Sequence, residues 1–227
     1  ILICKQLVIE LLMEKKMIRN KYALQRLRRN KSKRKKIEIS PIHIFTVCIL
    51  LISFFAATGE AKTVDKPTII TKTKPLFVYS LNSCIEHLYK DMTIDKQIPK
   101  ELILAQAVVE TGWGDSRFAN EANNLFGIRT FDRDDNYMLP KTLTNWPGWG
   151  VKVFASKCDS VEYYVRIINE VWAYEAFRSL RQRHLNDGVI PDGMELAMTL
   201  DSYATDPNYI PLVRSVIKNN IRGVYDL

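Results

Sequence analysis

The stretch Ile42–Ala57 is a run of sixteen residues, Ile-His-Ile-Phe-Thr-Val-Cys-Ile-Leu-Leu-Ile-Ser-Phe-Phe-Ala-Ala, with no formal charge when His43 is neutral. It divides the chain. Ahead of it lies a strongly basic segment with Arg26, Arg28, Arg29, Lys31, Lys33, Arg34, Lys35 and Lys36. Behind it, Ala57, Gly59 and Ala61 supply the small residues of a cleavage site. A basic segment, an apolar run and small residues in that order read as an export signal. A spanning helix needs about 20 apolar residues, so an uncleaved anchor would also have to draw Ala56–Ala61 into the membrane. An amphipathic core helix would show a polar face, and this run has none. The expected layout is a basic leader with an export signal or membrane anchor over 1–61, a linker over 62–77 and a domain over 78–227. Positive charge stays on the inner side. The domain is therefore expected outside the cytoplasmic membrane, periplasmic or otherwise extracytoplasmic, secreted or tethered through residues 42–57.

The formal net charge of +8 invites a nucleic-acid reading until the charge is located. Residues 1–61 hold 13 Lys or Arg against 4 Asp or Glu, and residues 62–227 hold 20 against 21. The domain is close to neutral and lacks the diffuse basic surface that phosphate binding needs, so no nucleic-acid partner is expected. Cys4 and Cys48 fall in the leader, which leaves Cys84 and Cys158 for the domain. They could form one bridge or remain two buried thiols. The only histidines are His43, His87 and His184, and no Cys–His cluster has zinc spacing. No metal and no cofactor is read from the sequence.

Residues 62–76 are rich in Thr, Lys and Pro and lack helical periodicity, the basis for reading them as linker. From Ser80 on, helical signals dominate. Asn82 or Ser83 could cap a helix through Met92. Pro99 suits a helix first turn, and that helix runs to Glu110 and stops at Gly112. Leu102, Ala105, Val109 and Trp113 share one face of it. Ser116–Glu121 could add a short turn. Leu125–Arg129 and Val151–Phe154 look like two short strands around an irregular loop, Asp132–Gly150. Asp159-Ser-Val-Glu162 has capping-box spacing. Further helices are expected at Glu175–Leu185, Gly193–Ala204 and Asn208–Ile221. The fold class expected is α+β, mostly α, with a small β-hairpin.

Glu110 ends an otherwise apolar helix just before Thr-Gly-Trp-Gly. A carboxylate there meets the negative end of the helix dipole and has Trp113 and Phe126 as expected neighbours. Both effects disfavour its charged form and raise its pKa. A carboxylic acid kept protonated near neutral pH is what glycosidic cleavage requires. On spacing alone, the same Glu110 also reads as a solvated residue at a helix end. Asn123-Asn124-Leu-Phe-Gly127 offers amides and an aromatic suited to sugar contacts. Trp146 and Trp149 could stack on sugar rings or simply cover the hairpin.

Gln106-Ala-Val-Val-Glu-Thr-Gly-Trp-Gly114, followed by Ser116 and Asn123-Asn-Leu-Phe-Gly-Ile128, closely resembles the bacterial endo-β-N-acetylglucosaminidase family, nearest its Bax-type branch, within the lysozyme-like superfamily. The resemblance runs on through Val153-Phe154, Ser160–Ile168 and Tyr203-Ala-Thr-Asp-Pro-Asn-Tyr209, and covers about 80–225. It implies a lysozyme-like helical domain that hydrolyses the β-1,4 bond after N-acetylglucosamine in peptidoglycan glycan strands. By the resemblance, Glu110 is the catalytic acid and Tyr203 borders the cleft, orienting substrate or stabilising the transition state. Asn124, Phe126 and Gly127 would line the cleft, and Trp113 is a candidate sugar contact. A second carboxylate could come from Asp132, Asp134 or Asp135. Substrate-assisted cleavage would need none, because the 2-acetamido group can serve as nucleophile. A lytic transglycosylase or muramidase, or an inactive wall-binding protein, are the alternative readings.

Overall fold

The computed structural model describes residues 65–225. The leader and its uncharged run lie outside the described residues. Among the described residues, no helix is long and apolar enough to cross a membrane.

Helix α1, Lys74–Tyr89, starts where Thr73 accepts a hydrogen bond from the Leu76 amide and Pro75 occupies the first turn. Both are start signals, and they place the helix well ahead of the expected Asn82. The domain therefore begins inside the stretch read as linker. Its part ahead of the helix is packed too: Ile69 is buried, the Ile70 amide donates to Ser80, and Lys66 pairs with Asp159 and Glu162. The Thr/Lys/Pro composition concealed one apolar residue docked in the core.

Helix α2, Lys100–Thr111, is the central element. Leu102 through Val108 are all buried, so the helix is apolar on every side and not along one stripe alone. Gly112 terminates it in the left-handed conformation, its amide bonded to the Val108 carbonyl. A short α3, Arg117–Glu121, follows under a Ser116 cap. Then come β1 Arg129–Thr130, β2 Tyr137–Met138 and β3 Gly150–Lys152. They form an antiparallel sheet in the order β1-β3-β2, with Arg129 opposite Val151 and Met138 also opposite Val151. The expected two strands are three. Leu125–Ile128 stays irregular, and the Asp-rich loop contributes β2.

Helix α4, Lys157–Glu170, is capped three residues earlier than expected. Ser156 and Asp159 form the reciprocal box, and Asp159-Ser-Val-Glu162 does not. After a 3-10 turn come α5 Glu175–Asn186, α6 Gly193–Ala197 and α7 Tyr209–Val216, the last continued by a π turn, Ile217–Ile221. The expected helix Gly193–Ala204 stops at Ala197 and passes into turns. Cys84 on α1 and Cys158 at the start of α4 form a disulfide, which settles the pair left open by the sequence. α2, the helix that carries Glu110, is enclosed mainly by α1, α6 and α7.

Candidate active site

Three consecutive residues after α2 adopt left-handed backbone: Gly112 at φ 61°, Trp113 at 69° and Gly114 at 86°. Glycine accepts this at little cost, and tryptophan does not. The turn is held locally. Thr111 donates to the Ala107 carbonyl at 2.5 Å, and its hydroxyl oxygen accepts from the Gly114 amide at 2.7 Å. A side chain at position 114 would meet Thr71 at 2.6 Å, so Gly114 is also a point of close approach.

Glu110 sits one residue before the end of α2, half-buried. Burial pushes its carboxyl up to about 7, against a hydrogen bond from Tyr209 that pulls it down. Gly127 lies opposite. A Cβ there would stand 3.4 Å from Glu110 Oε2, and φ 63° makes any side chain strained as well. The backbone at Gly127 thus comes close to the acid with no side chain of its own between.

The tyrosines behind Glu110 form a layer. Tyr203 stacks on Tyr209, ring centroids 5.5 Å apart and planes 16° from parallel, and meets Tyr164 edge-on at 6.1 Å. The Tyr203 hydroxyl donates to the Phe126 carbonyl at 2.9 Å. Tyr203 therefore holds the 126–128 backbone against the acid, while Tyr209 touches the carboxyl itself. Burial holds both hydroxyls well above their ordinary pKa, so they remain donors at any working pH.

Several residues expected to face sugar do other work. The Asn124 amide donates to the carbonyls of Ile128 and Lys152, both at 2.8 Å, and its oxygen accepts from the amides of Phe126 and Ile128. That commitment ties the loop to β3 and leaves no side-chain group for substrate. Phe126 is buried and stacks on Tyr164 at 4.3 Å, a core contact. Trp113 is half-buried under the Lys74 ammonium, 4.8 Å from its ring. Gly127 is the member of that group whose backbone is placed against the acid.

The hairpin is likewise self-paired. Asp132 accepts from the Asp134 amide at 2.9 Å, a turn-forming bond. Asp135 pairs with Lys152; partial burial would raise its pKa, but the bonds to Lys152 and Thr130 outweigh this and lower it. Trp146 packs on Tyr137 with centroids 4.5 Å apart, and Arg129 lies over Trp149 at 4.0 Å. Asp132 and Asp135 are thus turn and ion-pair groups. The two tryptophans cover the hairpin.

Sequence reasoning missed Tyr209, Gln106 and Tyr164. A signal existed for one of them. Gln106 is a polar residue in an apolar helix, four positions before Glu110 and so on its face. The two tyrosines reach the site through tertiary packing that spacing does not encode.

The family model described as mannosyl-glycoprotein endo-beta-N-acetylglucosaminidase matches residues 86–222. The chain belongs to this glucosaminidase family. Among its curated relatives, exo-glucosaminidase LytG of Bacillus subtilis is 27% identical over 209 residues, covering 87% of this chain and 70% of LytG. Protein bax of Escherichia coli is 36% identical over 86 residues, covering 37% of this chain and 28% of Bax. Peptidoglycan hydrolase FlgJ of Vibrio parahaemolyticus is 30% identical over 156 residues, covering 62% of this chain and 45% of FlgJ. The match thus spans most of LytG but less than half of Bax and of FlgJ. The resemblance read from Gln106–Gly114 and Asn123–Ile128 and the family match agree, and the matched span includes Glu110, Tyr203 and Tyr209.

Proposed function

We propose that this glucosaminidase-family domain hydrolyses the β-1,4 bond after N-acetylglucosamine in peptidoglycan, with Glu110 as general acid. The observation that carries the reading is the Glu110 carboxyl: raised to about 7, set at the end of α2 and facing the bare backbone of Gly127. Family membership supports the bond type, and relatives named peptidoglycan hydrolase and exo-glucosaminidase support the substrate class.

In the forward step Glu110 gives its proton to the leaving glycosidic oxygen as the C1–O bond breaks. Asp132 is engaged in a turn and Asp135 in an ion pair, which leaves the exposed Asp134 as the remaining hairpin carboxylate and supports the substrate's own acetamido oxygen as the group that attacks C1. Water then opens the cyclic intermediate, and the Glu110 carboxylate takes up the proton, restoring the acid. Tyr209 donates to the carboxylate during the half-cycle in which it is charged. Tyr203 supports the 126–128 backbone that borders the reaction centre.

The disulfide between Cys84 and Cys158 fits an oxidising compartment. Together with the basic leader and the uncharged run 42–57, it supports action on the outer side of the cytoplasmic membrane, with those residues as signal or tether.

Purified peptidoglycan digested with the chain and analysed by mass spectrometry tests the reading. Reducing N-acetylglucosamine ends are expected, and their loss in Glu110→Gln with the fold intact. Anhydromuramic ends would instead indicate a lytic transglycosylase, and wall binding without turnover a binding protein. Product length separates internal from terminal cleavage.

A further inference from the structure

We propose that Gln106 and Tyr164 are positioning residues that act on Glu110 through Tyr209, fixing the sense of a hydrogen-bond chain so that the acid's proton is carried on the carboxyl oxygen turned away from Tyr209. The inference rests on Glu110 being the general acid.

Gln106 is fully buried in α2, within the run Leu102–Val108 that is otherwise apolar. A buried amide there is costly unless both of its ends are bonded. Both are. The Tyr164 hydroxyl donates to Gln106 Oε1, and Gln106 Nε2 donates to the Tyr209 hydroxyl oxygen at 3.0 Å. The Tyr209 hydroxyl is in turn bonded to the Glu110 carboxyl. Three elements meet in this chain: α4 through Tyr164, α2 through Gln106 and Glu110, and α7 through Tyr209.

A hydroxyl has one proton to give, whereas an amide gives only through nitrogen and accepts only through oxygen. With Tyr164 donating to the amide oxygen, the amide nitrogen faces Tyr209. With that N–H on the Tyr209 oxygen, the single Tyr209 proton is left for Glu110. The reverse sense would turn the Tyr209 proton toward Gln106 and leave the Tyr209 oxygen to accept the acid's proton, pulling it away from substrate. The titratable groups that face Glu110 are Tyr164, Tyr203 and Tyr209. Each stays neutral across the working range, so the chain acts by direction and not by charge.

Removing the chain frees the Tyr209 oxygen to accept from protonated Glu110. That favours the neutral acid and hides its proton. The expected result for Gln106→Met/Tyr164→Phe, which deletes both partners without orphaning either, is a fall in kcat of about fivefold to tenfold, the scale of one hydrogen bond. KM should be little changed, and the alkaline limb of kcat should move to higher pH. The single variant Tyr164→Phe, which leaves Gln106 in place, should shift the limb the same way by less, and it keeps the test open if the double variant does not fold. Glu110 titration by carbon-13 NMR of carboxyl-labelled protein should move upward in parallel. A structural role alone would lower the melting temperature and leave limb and titration in place; that result in folded variants overturns the proposal. The NMR titration needs no turnover. A wild-type chain that fails to cleave the wall would therefore refute the proposed reaction, while the chain of bonds is still judged on its own.

Discussion

The C-terminal end of α2 and the hairpin 129–152 contrast in what surrounds their carboxylates. The hairpin holds Asp132, Asp134 and Asp135 beside Trp146 and Trp149, a set that on composition alone is the richer chemically. Yet Asp135 meets an ammonium and is pushed below its ordinary pKa, Asp132 closes a turn, and Trp146 packs against Tyr137. At the end of α2 a lone acid, Glu110, meets a tyrosine hydroxyl, and burial raises it to about 7. Proximity of polar groups engages Asp132 and Asp135 in the hairpin. Incomplete compensation at Glu110 leaves a proton that can be spent on chemistry. The difference teaches that a proton is kept available near neutrality at an undercompensated carboxyl, not where charges cluster.

The sharpest way to break this contrast is activity. Glu110→Gln should lower cleavage of peptidoglycan by about 10³-fold, measured by release of reducing ends, whereas Asp135→Asn should keep most of the wild-type rate. Equal losses at both positions would make the hairpin a second catalytic partner.

Stability should divide the two regions by sign. Glu110 has a folded pKa raised above its ordinary 4.5, so the folded state binds more protons between 4.5 and about 7, and stability declines as pH rises through that window. Glu110→Gln removes the penalty. It should stabilise the domain by roughly 3 kcal/mol at most at pH 8.5 and by almost nothing at pH 4, read from urea melts. Breaking the Cys84–Cys158 bridge, which spans 74 residues between α1 and α4, should cost about 2–4 kcal/mol in the same assay and should spare the hairpin's own pairing. Asp135→Asn should destabilise by about 0.5–1 kcal/mol near pH 7. Its lowered pKa gives stability that is present above the ordinary carboxylate value and fades as pH falls through the folded one, the opposite trend to Glu110. A stability effect of similar size, with the least effect on activity, is expected from Trp149→Ala. It loses the Arg129 contact, worth about 0.5–1 kcal/mol, and should change KM for glycan less than twofold.

Local signals in the sequence were legible where one residue decides the backbone. Pro99 and Gly112 bracketed α2, and the short turn read at Ser116–Glu121 is α3 under a Ser116 cap, because caps and breakers act within one turn. The start of α1 was missed although Thr73 and Pro75 spell it, since the polar composition around them outweighed the pattern. β2 was missed because Tyr137 and Met138 pair only across the sheet, with Lys152 and Val151, and two residues carry no period. Glu110 was legible as the carboxylate near the end of α2, and its motif was legible as that of the family. Asn124 and Phe126 lie in the same motif but serve the loop and the core. Position in a motif does not tell which atoms of a side chain are already bonded, and only the four bonds of the Asn124 amide do that.

The central claim is that Glu110 keeps its proton near neutrality because burial is only partly offset. Carbon-13 NMR of the carboxyl-labelled domain, with Glu110 assigned by its absence in Glu110→Gln, measures this directly. A titration midpoint near 7 is expected for that resonance. A midpoint at the ordinary 4.5 would contradict it.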